Sequence, residues 1–163
     1  MKTKISIMVA MMMVALTSSA MPYTEAGNKA LFLSDKMAYE LNLTESQLDA
    51  VYEINLDYLL NVEDESDMFG YMWEIRNRDM KLVLSDWQYN QYLTCDWFNK
   101  PFTCKAEGWT LAVNDRYNEG QFFVNQPDVF TSYRGGHNLM ETSFYEGQNI
   151  VKSNVSNYLG QTK

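Results

Sequence analysis

Residues 41–47 read LNLTESQ and residues 82–88 read LVLSDWQ, so the chain contains the pattern Leu-x-Leu-(Thr/Ser)-(Glu/Asp)-x-Gln twice. The pattern predicts a helix start in each copy. In the first, the hydroxyl of Thr44 is placed to accept a hydrogen bond from the backbone N–H of Gln47, while the Gln47 side chain reaches back to the N–H of Thr44. Ser85 and Gln88 have the same relation in the second. The sequence therefore predicts two capping boxes.

These two starts organise the first half of the chain into about four helices. The apolar spacing predicts helices over residues 34–41, 45–61, 66 or 67 to 83, and 85–99. The polar run VEDESD at 62–67 separates the second from the third, and Pro101 limits the fourth because the residue before a proline disfavours helix. Residues 21–100 are therefore expected to form a helical bundle.

The second half of the chain has a different residue pattern, with short strand-like segments separated by turn residues. Residues 109–113 (WTLAV) alternate as a strand does, and the short segments 121–124 (QFFV) and 129–133 (VFTSY) follow after turn residues. They predict a small antiparallel β meander within an aromatic extension, residues 101–146. Residues 147–163 lose periodicity and are expected to form a mobile C-terminal tail. The predicted fold class is α+β, mainly α.

The first twenty residues have the features of a secretory signal peptide. Lys2 and Lys4 precede an apolar run over residues 5–16, and small residues lead to Ala20 as the expected cleavage position. The run is short for a membrane span, and no second long apolar run follows. The expected location is the periplasm or the exterior of a bacterial cell, with no membrane insertion after the signal is cleaved.

Charge narrows the expected partners. The chain has 21 acidic and 13 basic residues, a net charge of −8, and loss of Lys2 and Lys4 with the leader leaves −10. An acidic protein is repelled by nucleic acid and by anionic lipid, so neither is an expected partner. Unfolded or basic polypeptides fit the charge better.

Cys95 and Cys104 are the only cysteines. In an exported protein such a pair predicts a disulfide, which would close a ten-residue loop. A reactive or metal-binding pair is the alternative, but the spacing is not C-x-x-C.

The two Leu-(Thr/Ser)-x-x-Gln copies, at residues 43–47 and 84–88, resemble the motif of the Spy/CpxP family of periplasmic proteins. That resemblance covers about 70 residues of the helical half. It implies an all-helical protein, often a dimer, that acts in envelope stress as a chaperone or as a regulator of a sensor kinase. The arrangement also resembles exported proteins of Bacteroides-type bacteria with an LTxxQ-type helical start and a Tyr/Trp-rich end. The strand-like residues 109–133 depart from the all-helical pattern.

One acidic line stands out as a candidate partner surface. Asp49, Glu53 and Asp57 follow Glu45 at four-residue intervals and would share one helix face, where like charges repel. One interpretation is a solvated face, or a face paired with Arg76, Arg78 and Lys81 of the adjacent helix. The other is a surface for a basic client, which high salt would weaken.

Aromatic residues of the second half give a second candidate surface. Trp109 and Tyr133 represent a set that can stack on sugars or on extended peptides, although aromatics at this density also build cores. Both interpretations remain open from the sequence.

Catalytic and metal motifs are missing from the sequence. It contains no GxSxG, HExxH, P-loop, GxGxxG or CxxC, and its one histidine, His137, has no second ligand at metal-binding spacing. No enzyme activity, cofactor or metal site is therefore expected. The leading hypothesis is an exported, non-enzymatic interaction protein that binds polypeptides through helix surfaces. The alternatives are a glycan- or peptide-binding module built on the aromatic half, and a structural envelope protein.

Overall fold

The computed structural model describes residues 21–106, 108–124, 143–148 and 150. It confirms an α+β fold that is mainly α. Five helices come first, followed by a two-stranded antiparallel sheet and a short 3-10 helix. Their bounds are α1 Tyr23–Leu41, α2 Glu45–Leu60, α3 Tyr71–Val83, α4 Asp86–Thr94, α5 Asp96–Asn99, β1 Phe102–Lys105, β2 Gly108–Leu111 and the 3-10 helix Ala112–Asp115.

Both repeated heptapeptides start helices. Thr44 is the N-cap of α2 and Ser85 is the N-cap of α4, and each forms a complete capping box with its glutamine. The end of α1 is equally well defined, because Asn42 takes a left-handed conformation with φ 50° and its N–H donates to the carbonyl of Ala38. Asparagine tolerates that conformation better than most residues. α1 and α2 are therefore joined by a tight turn and form a helical hairpin.

Three predicted helix bounds were wrong. α1 begins at Tyr23 rather than at residue 34, and its buried Ala26, Ala30 and Leu33 continue the stripe that Met37 and Leu41 end. Alanines carry so little apolar surface that this stripe is weak in the sequence.

The other two corrections concern α3 and α4. α3 begins at Tyr71 because Asp67 folds back and accepts from the backbone N–H groups of Glu63 and Asp64, which closes a turn ahead of the helix. α4 ends at Thr94, and the short α5 occupies the remaining residues before Pro101.

The sheet is a two-stranded hairpin whose second strand overlaps the predicted strand at residues 109–113, but whose partner strand is β1 and not residues 121–124. β1 pairs with β2 in the register Phe102↔Leu111, Thr103↔Thr110 and Cys104↔Trp109. Residues 121–124 form no strand, because the carboxylate of Asp35 in α1 accepts the backbone N–H groups of Phe123 and Val124 that a ladder would have used. The third predicted strand, residues 129–133, lies outside the described residues.

The hairpin and the helices share one core. Leu33, Met37, Leu56 and Leu59 of the first two helices belong to the same buried cluster as residues of the second half, which are Phe98, Phe102, Leu111, Val113 and Tyr145. α2 is buried along most of its length, as expected for a helix packed on more than one side. Within the described ranges, no helix is both long enough and apolar enough to cross a bilayer.

The predicted disulfide is absent, and both thiols are free. Cys95 is half-buried at the junction of α4 and α5, where burial raises the pKa of its thiol. Cys104 is exposed on β1, because the strand leaves the core after Phe102 and its last two residues face solvent. The hairpin therefore carries Cys104 outward, away from the half-buried junction.

Two predicted regions lie wholly or mostly outside the described residues. The signal peptide, residues 1–20, lies outside the described residues, and so does most of the predicted tail. Ile150, which the prediction placed in that tail, is partly buried against the core.

Candidate functional site

The four capping residues lie at one joint, where the starts of α2 and α4 meet the ends of α1 and α3. The Gln47 side-chain amide donates to the carbonyl of Val83 at 2.9 Å and to Gln88 Oε1 at 2.7 Å. Gln88 donates in return to the carbonyl of Leu41 at 3.1 Å and to Gln47 Oε1 at 3.1 Å. Each glutamine thus completes its own capping box and also binds the end of the helix that precedes the other motif.

This joint is a structural element. Both glutamines are buried and their amide groups are engaged with backbone and with each other. Buried amides with satisfied donors and acceptors fix the relative position of the elements they connect. Thr44, Gln47, Ser85 and Gln88 therefore hold the bundle together and leave the amide groups no vacancy for a ligand.

The acidic line of α2 does not form the expected partner surface. Glu53 and Asp57 are buried, and only Asp49 is half-exposed. Glu53 is covered by Tyr145, whose hydroxyl donates to Glu53 Oε2 at 3.4 Å. Burial, and then the neighbouring charges of Glu53 and Asp57, raise the pKa of the Tyr145 hydroxyl. The prediction failed because a turn some ninety residues away in sequence packs over this face.

Pairing with the basic residues of α3 was the alternative. Arg78 pairs with Asp79 of its own helix at 2.9 Å, while Arg76 turns into the core toward Asn55. Of the four acids in the row, Glu53 and Asp57 are interior, whereas Glu45 is exposed and Asp49 is half-exposed.

Asp49 is half-exposed, unlike the buried Glu53 and Asp57, and the effect of its ionisation on stability can be tested. Burial, followed by repulsion from Glu45 and Glu53, raises its pKa to about 6 from an ordinary 3.8. A carboxyl with a raised pKa binds its proton more tightly in the folded state, so its ionisation lowers stability as pH rises from about 4 to about 6. We expect Asp49→Asn to raise the free energy of unfolding at pH 7.5 by about 0.5–1 kcal/mol, since the side chain is half-exposed and its charge is screened.

Urea unfolding at pH 7.5 and pH 4 measures this effect. The gain of Asp49→Asn should vanish at pH 4, where the wild-type carboxyl is protonated. Glu65→Gln, at an exposed position in the 62–67 turn, serves as the control and should change stability little at either pH. An equal gain for Asp49→Asn at both pH values would exclude ionisation as its cause.

Arg76 is the centre of a buried polar network that the sequence did not indicate. The guanidinium donates to Asn55 Oδ1 at 2.9 Å and to the Tyr92 hydroxyl at 2.8 Å, and lies 5.4 Å from the ring centroid of Tyr58. Asn55 continues the network by donating to Ser34 Oγ at 2.9 Å. The network joins α1, α2, α3 and α4 through the middle of the core. Its only sequence signal is Asn55 within an apolar stripe.

One concave surface lies between α1 and the chain from the end of β2 onward. We call it the α1 groove; it has a volume of about 500 Å³. Its lining is Asn28, Lys29, Leu31, Phe32, Leu111, Asn114, Glu119, Gly120 and Phe122. The rings of Phe32 and Phe122 meet edge-to-face at 5.9 Å and form one end of the floor.

The rim of the α1 groove is polar. Asn28 and Asn114 place amide groups beside the apolar floor, and Asn114 donates to Glu119 Oε1 at 3.3 Å. Lys29 is paired with Glu25 at 2.7 Å on the same helix. An apolar floor with a few polar groups at its edge is the usual composition of a ligand site.

A second concavity, the Trp97 groove, has a volume of about 360 Å³. Aromatic rings and charged side chains alternate around it: Phe69, Asp96, Trp97, Lys100, Phe102, Thr103, Ala112, Asp115 and Arg116. The Arg116 guanidinium lies 3.7 Å from the centroid of the Trp97 ring, so a cation already covers one ring face.

The two aromatic residues chosen from the sequence have different outcomes. Trp109 is half-buried on β2, with its ring centroid 6.0 Å from that of the buried Phe102, and it packs against the core. It supports the hairpin and lines neither groove. Tyr133 lies outside the described residues. Phe32 and Phe122 line the α1 groove, and the Trp97 groove is lined by Phe69, Trp97 and Phe102.

The described part of the chain contains no group of three or more His, Cys, Asp or Glu side chains placed to hold a metal ion. No protein-family model, curated protein or solved structure matches the chain. The two grooves are therefore the geometric basis for a functional proposal.

Proposed function

We propose that this protein is an exported, non-enzymatic interaction protein that binds bulky apolar side chains of other polypeptides in the α1 groove. The observation that carries the proposal is the groove itself, whose apolar floor is open to solvent beside two amide side chains. Its volume falls within the range of about 300–1,000 Å³ that is typical of ligand sites.

The lining favours a peptide segment as the ligand. Leu31, Phe32 and Phe122 offer apolar contact for one large side chain, and burial of such a side chain yields about 1.5–3 kcal/mol. The amides of Asn28 and Asn114 can each donate to and accept from a peptide backbone at the rim. A site of this size takes one side chain of an unfolded client, and the expected affinity is accordingly weak.

The export signal and the repeated motif support an envelope role. The features of residues 1–20 favour secretion, and the resemblance of residues 43–47 and 84–88 to the Spy/CpxP motif favours a chaperone or sensor-like protein. The contact with clients is apolar in this proposal, because the floor of the α1 groove is formed by apolar side chains. Binding should consequently persist at high salt.

Replacing Phe122 with alanine provides the test. Phe122 is 39% exposed, so the variant should fold, and loss of its ring removes one end of the groove floor. We expect wild-type protein to bind acetyl-Gly-Phe-Gly-amide more tightly than acetyl-Gly-Ser-Gly-amide. Phe122→Ala should lower the affinity for the phenylalanine peptide about tenfold. Two-dimensional NMR titration measures both affinities and places the shifted residues.

Trp87→Ala is the matched control. Trp87 is an exposed aromatic residue on α4 and does not line the groove, so its loss should leave peptide affinity unchanged. Light scattering of an aggregating denatured client, with wild type and both variants, then tests the chaperone role. Equal loss of binding in the two variants, or no preference for phenylalanine over serine, would contradict the proposal.

A second candidate function is favoured by the Trp97 groove. Half-buried Trp97 beside Asp96, Asp115 and Thr103 combines an aromatic ring with hydrogen-bonding groups, which is the chemistry that binds a sugar ring. In that case Trp97→Ala, and not Phe122→Ala, would abolish binding of an oligosaccharide in the same NMR titration.

A further inference from the structure

Residues 121–124, which we call the strap, follow the surface of α1 and are held there by two adjacent side chains. Asp35 Oδ1 accepts from the backbone N–H of Phe123 at 3.0 Å and from that of Val124 at 2.9 Å. Lys36 Nζ lies 2.7 Å from Asp35 Oδ2 and donates to the carbonyl oxygen of Gln121. One ion pair therefore satisfies three backbone groups of the strap.

The Lys36 ammonium also occupies an aromatic cage. Its Nζ lies 4.1 Å from the ring centroid of Phe32, 4.8 Å from that of Phe123 and 5.0 Å from that of Phe122. Tyr117 adds a fourth ring at 5.6 Å. Rings at these distances attract a cation through their negative faces. Two of the four rings belong to the strap itself.

In this arrangement the strap shields the Asp35–Lys36 ion pair from solvent. Lys36 is 0% exposed and Asp35 is 2% exposed. Withdrawing an ion pair from water is costly, and the cost is offset only while the hydrogen bonds and rings are in place. When the strap lifts, Asp35 and Lys36 are hydrated again, and this hydration offsets part of the free energy of opening. Opening the strap is therefore less costly than opening an apolar contact of the same area. Such segments open separately from the rest of a protein.

The strap is also a wall of the α1 groove. Phe122 faces the Lys36 ammonium and lines the groove, and Phe32 does the same from the α1 side. Gly120, immediately before the strap, lines the groove as well. The floor of the groove and the wall of the cage are thus built from the same two phenylalanine rings.

We propose that Asp35 and Lys36 form a latch that positions the strap, and that the α1 groove binds its ligand only while the latch is closed. The inference rests on the proposed function for the ligand, although the latch can be tested without one. Only the closed form has the complete floor, so a ligand in the groove shifts the equilibrium toward the closed form. A broken latch lowers the apparent affinity for that ligand in proportion to the fall in the closed fraction of the protein.

Hydrogen exchange at two backbone amides tests the latch directly. The N–H groups of Phe123 and Val124 should be protected in the wild type, because Asp35 accepts both. We expect Lys36→Met to increase their exchange rates at least tenfold while the amides in the middle of α2 keep their protection. Phe123→Ala is the second variant, since it removes a cage ring from the strap and leaves α1 intact.

Lys105→Met is the matched control. Lys105 also pairs with an aspartate, Asp115, at 2.5 Å, but both side chains are largely exposed and neither belongs to the latch or to the aromatic cage. Its loss should leave the exchange of Phe123 and Val124 unchanged. Unaltered exchange in both Lys36→Met and Phe123→Ala would overturn the latch, as would a loss of protection spread equally over α2.

The peptide titration then separates the two proposals. If acetyl-Gly-Phe-Gly-amide binds, Lys36→Met should weaken its binding by the factor by which the closed fraction falls, so the affinity falls strongly only where the strap amides exchange nearly as fast as those of an unfolded peptide. If that peptide does not bind wild-type protein, the groove proposal fails, and strap exchange alone still decides whether Asp35 and Lys36 form a latch. Binding that is unchanged in a variant with a fully exchanging strap would contradict the link between latch and groove.

Discussion

Replacing Gln88 with leucine should lower the free energy of unfolding by about 3–4 kcal/mol, because several buried groups lose their partners at once. The Gln88 amide supplies donors to the carbonyl of Leu41 and to Gln47, and its oxygen accepts from the N–H of Ser85. Leucine fills a similar volume, so the loss measures hydrogen bonds rather than a cavity. Urea unfolding at pH 7.5 gives the value.

The matched control is Gln91→Leu, which makes the same chemical change at an exposed position of the same helix and should cost little. Gln47→Leu should cost about as much as Gln88→Leu, because its contacts mirror those of Gln88. The double variant should be less destabilised than the sum of the two, since the singles break a shared pair of amide hydrogen bonds. Strict additivity would mean that the two glutamines act independently.

Replacing Arg76 with leucine should cost about 3–5 kcal/mol, which is typical when one member of a buried charged network is removed. The side chain is 1% exposed, and its loss leaves Asn55 Oδ1 without a donor and breaks the contact with the Tyr92 hydroxyl. Thermal unfolding with calorimetry gives the loss as a fall in Tm.

Arg76→Lys separates charge from geometry. Lysine keeps the positive charge but has no planar fork to reach Asn55 and Tyr92 together, so most of the destabilisation should remain. Lys81→Leu removes a cation from an exposed position of the same helix and should change Tm little. Wild-type stability in Arg76→Lys would show that charge alone accounts for the contribution of Arg76.

The sequence was sufficient for the features that local chemistry decides. Two capping boxes could be placed to the residue, because a cap needs only a hydroxyl and a glutamine three positions later. The mixed helical class followed from the contrast between the two halves of the chain. The start of α1 was missed because alanines give a weak apolar stripe, as Ala26 and Ala30 do here.

Contacts between distant segments could not be read from the sequence. The acids of α2 have the spacing of a solvated face, whereas the structure buries Glu53 and Asp57 and packs Tyr145 on Glu53. The strap was read as a strand because QFFV has strand propensity, whereas Asp35, 88 residues earlier, takes its backbone donors. In each case a partner far away in sequence overrides a correct local preference.

The glutamine joint also limits which substitutions the sequence tolerates at positions 47 and 88. An amide offers a donor and an acceptor on opposite sides, and Gln47 and Gln88 meet so that each donor finds the other's acceptor. A carboxylate at one position can still accept from the other amide but no longer donates to it, and a methyl group does neither, so the remaining amide loses at least one hydrogen bond. We therefore expect a substitution at position 47 or 88 to be tolerated best when it is accompanied by a compensating substitution at the other position.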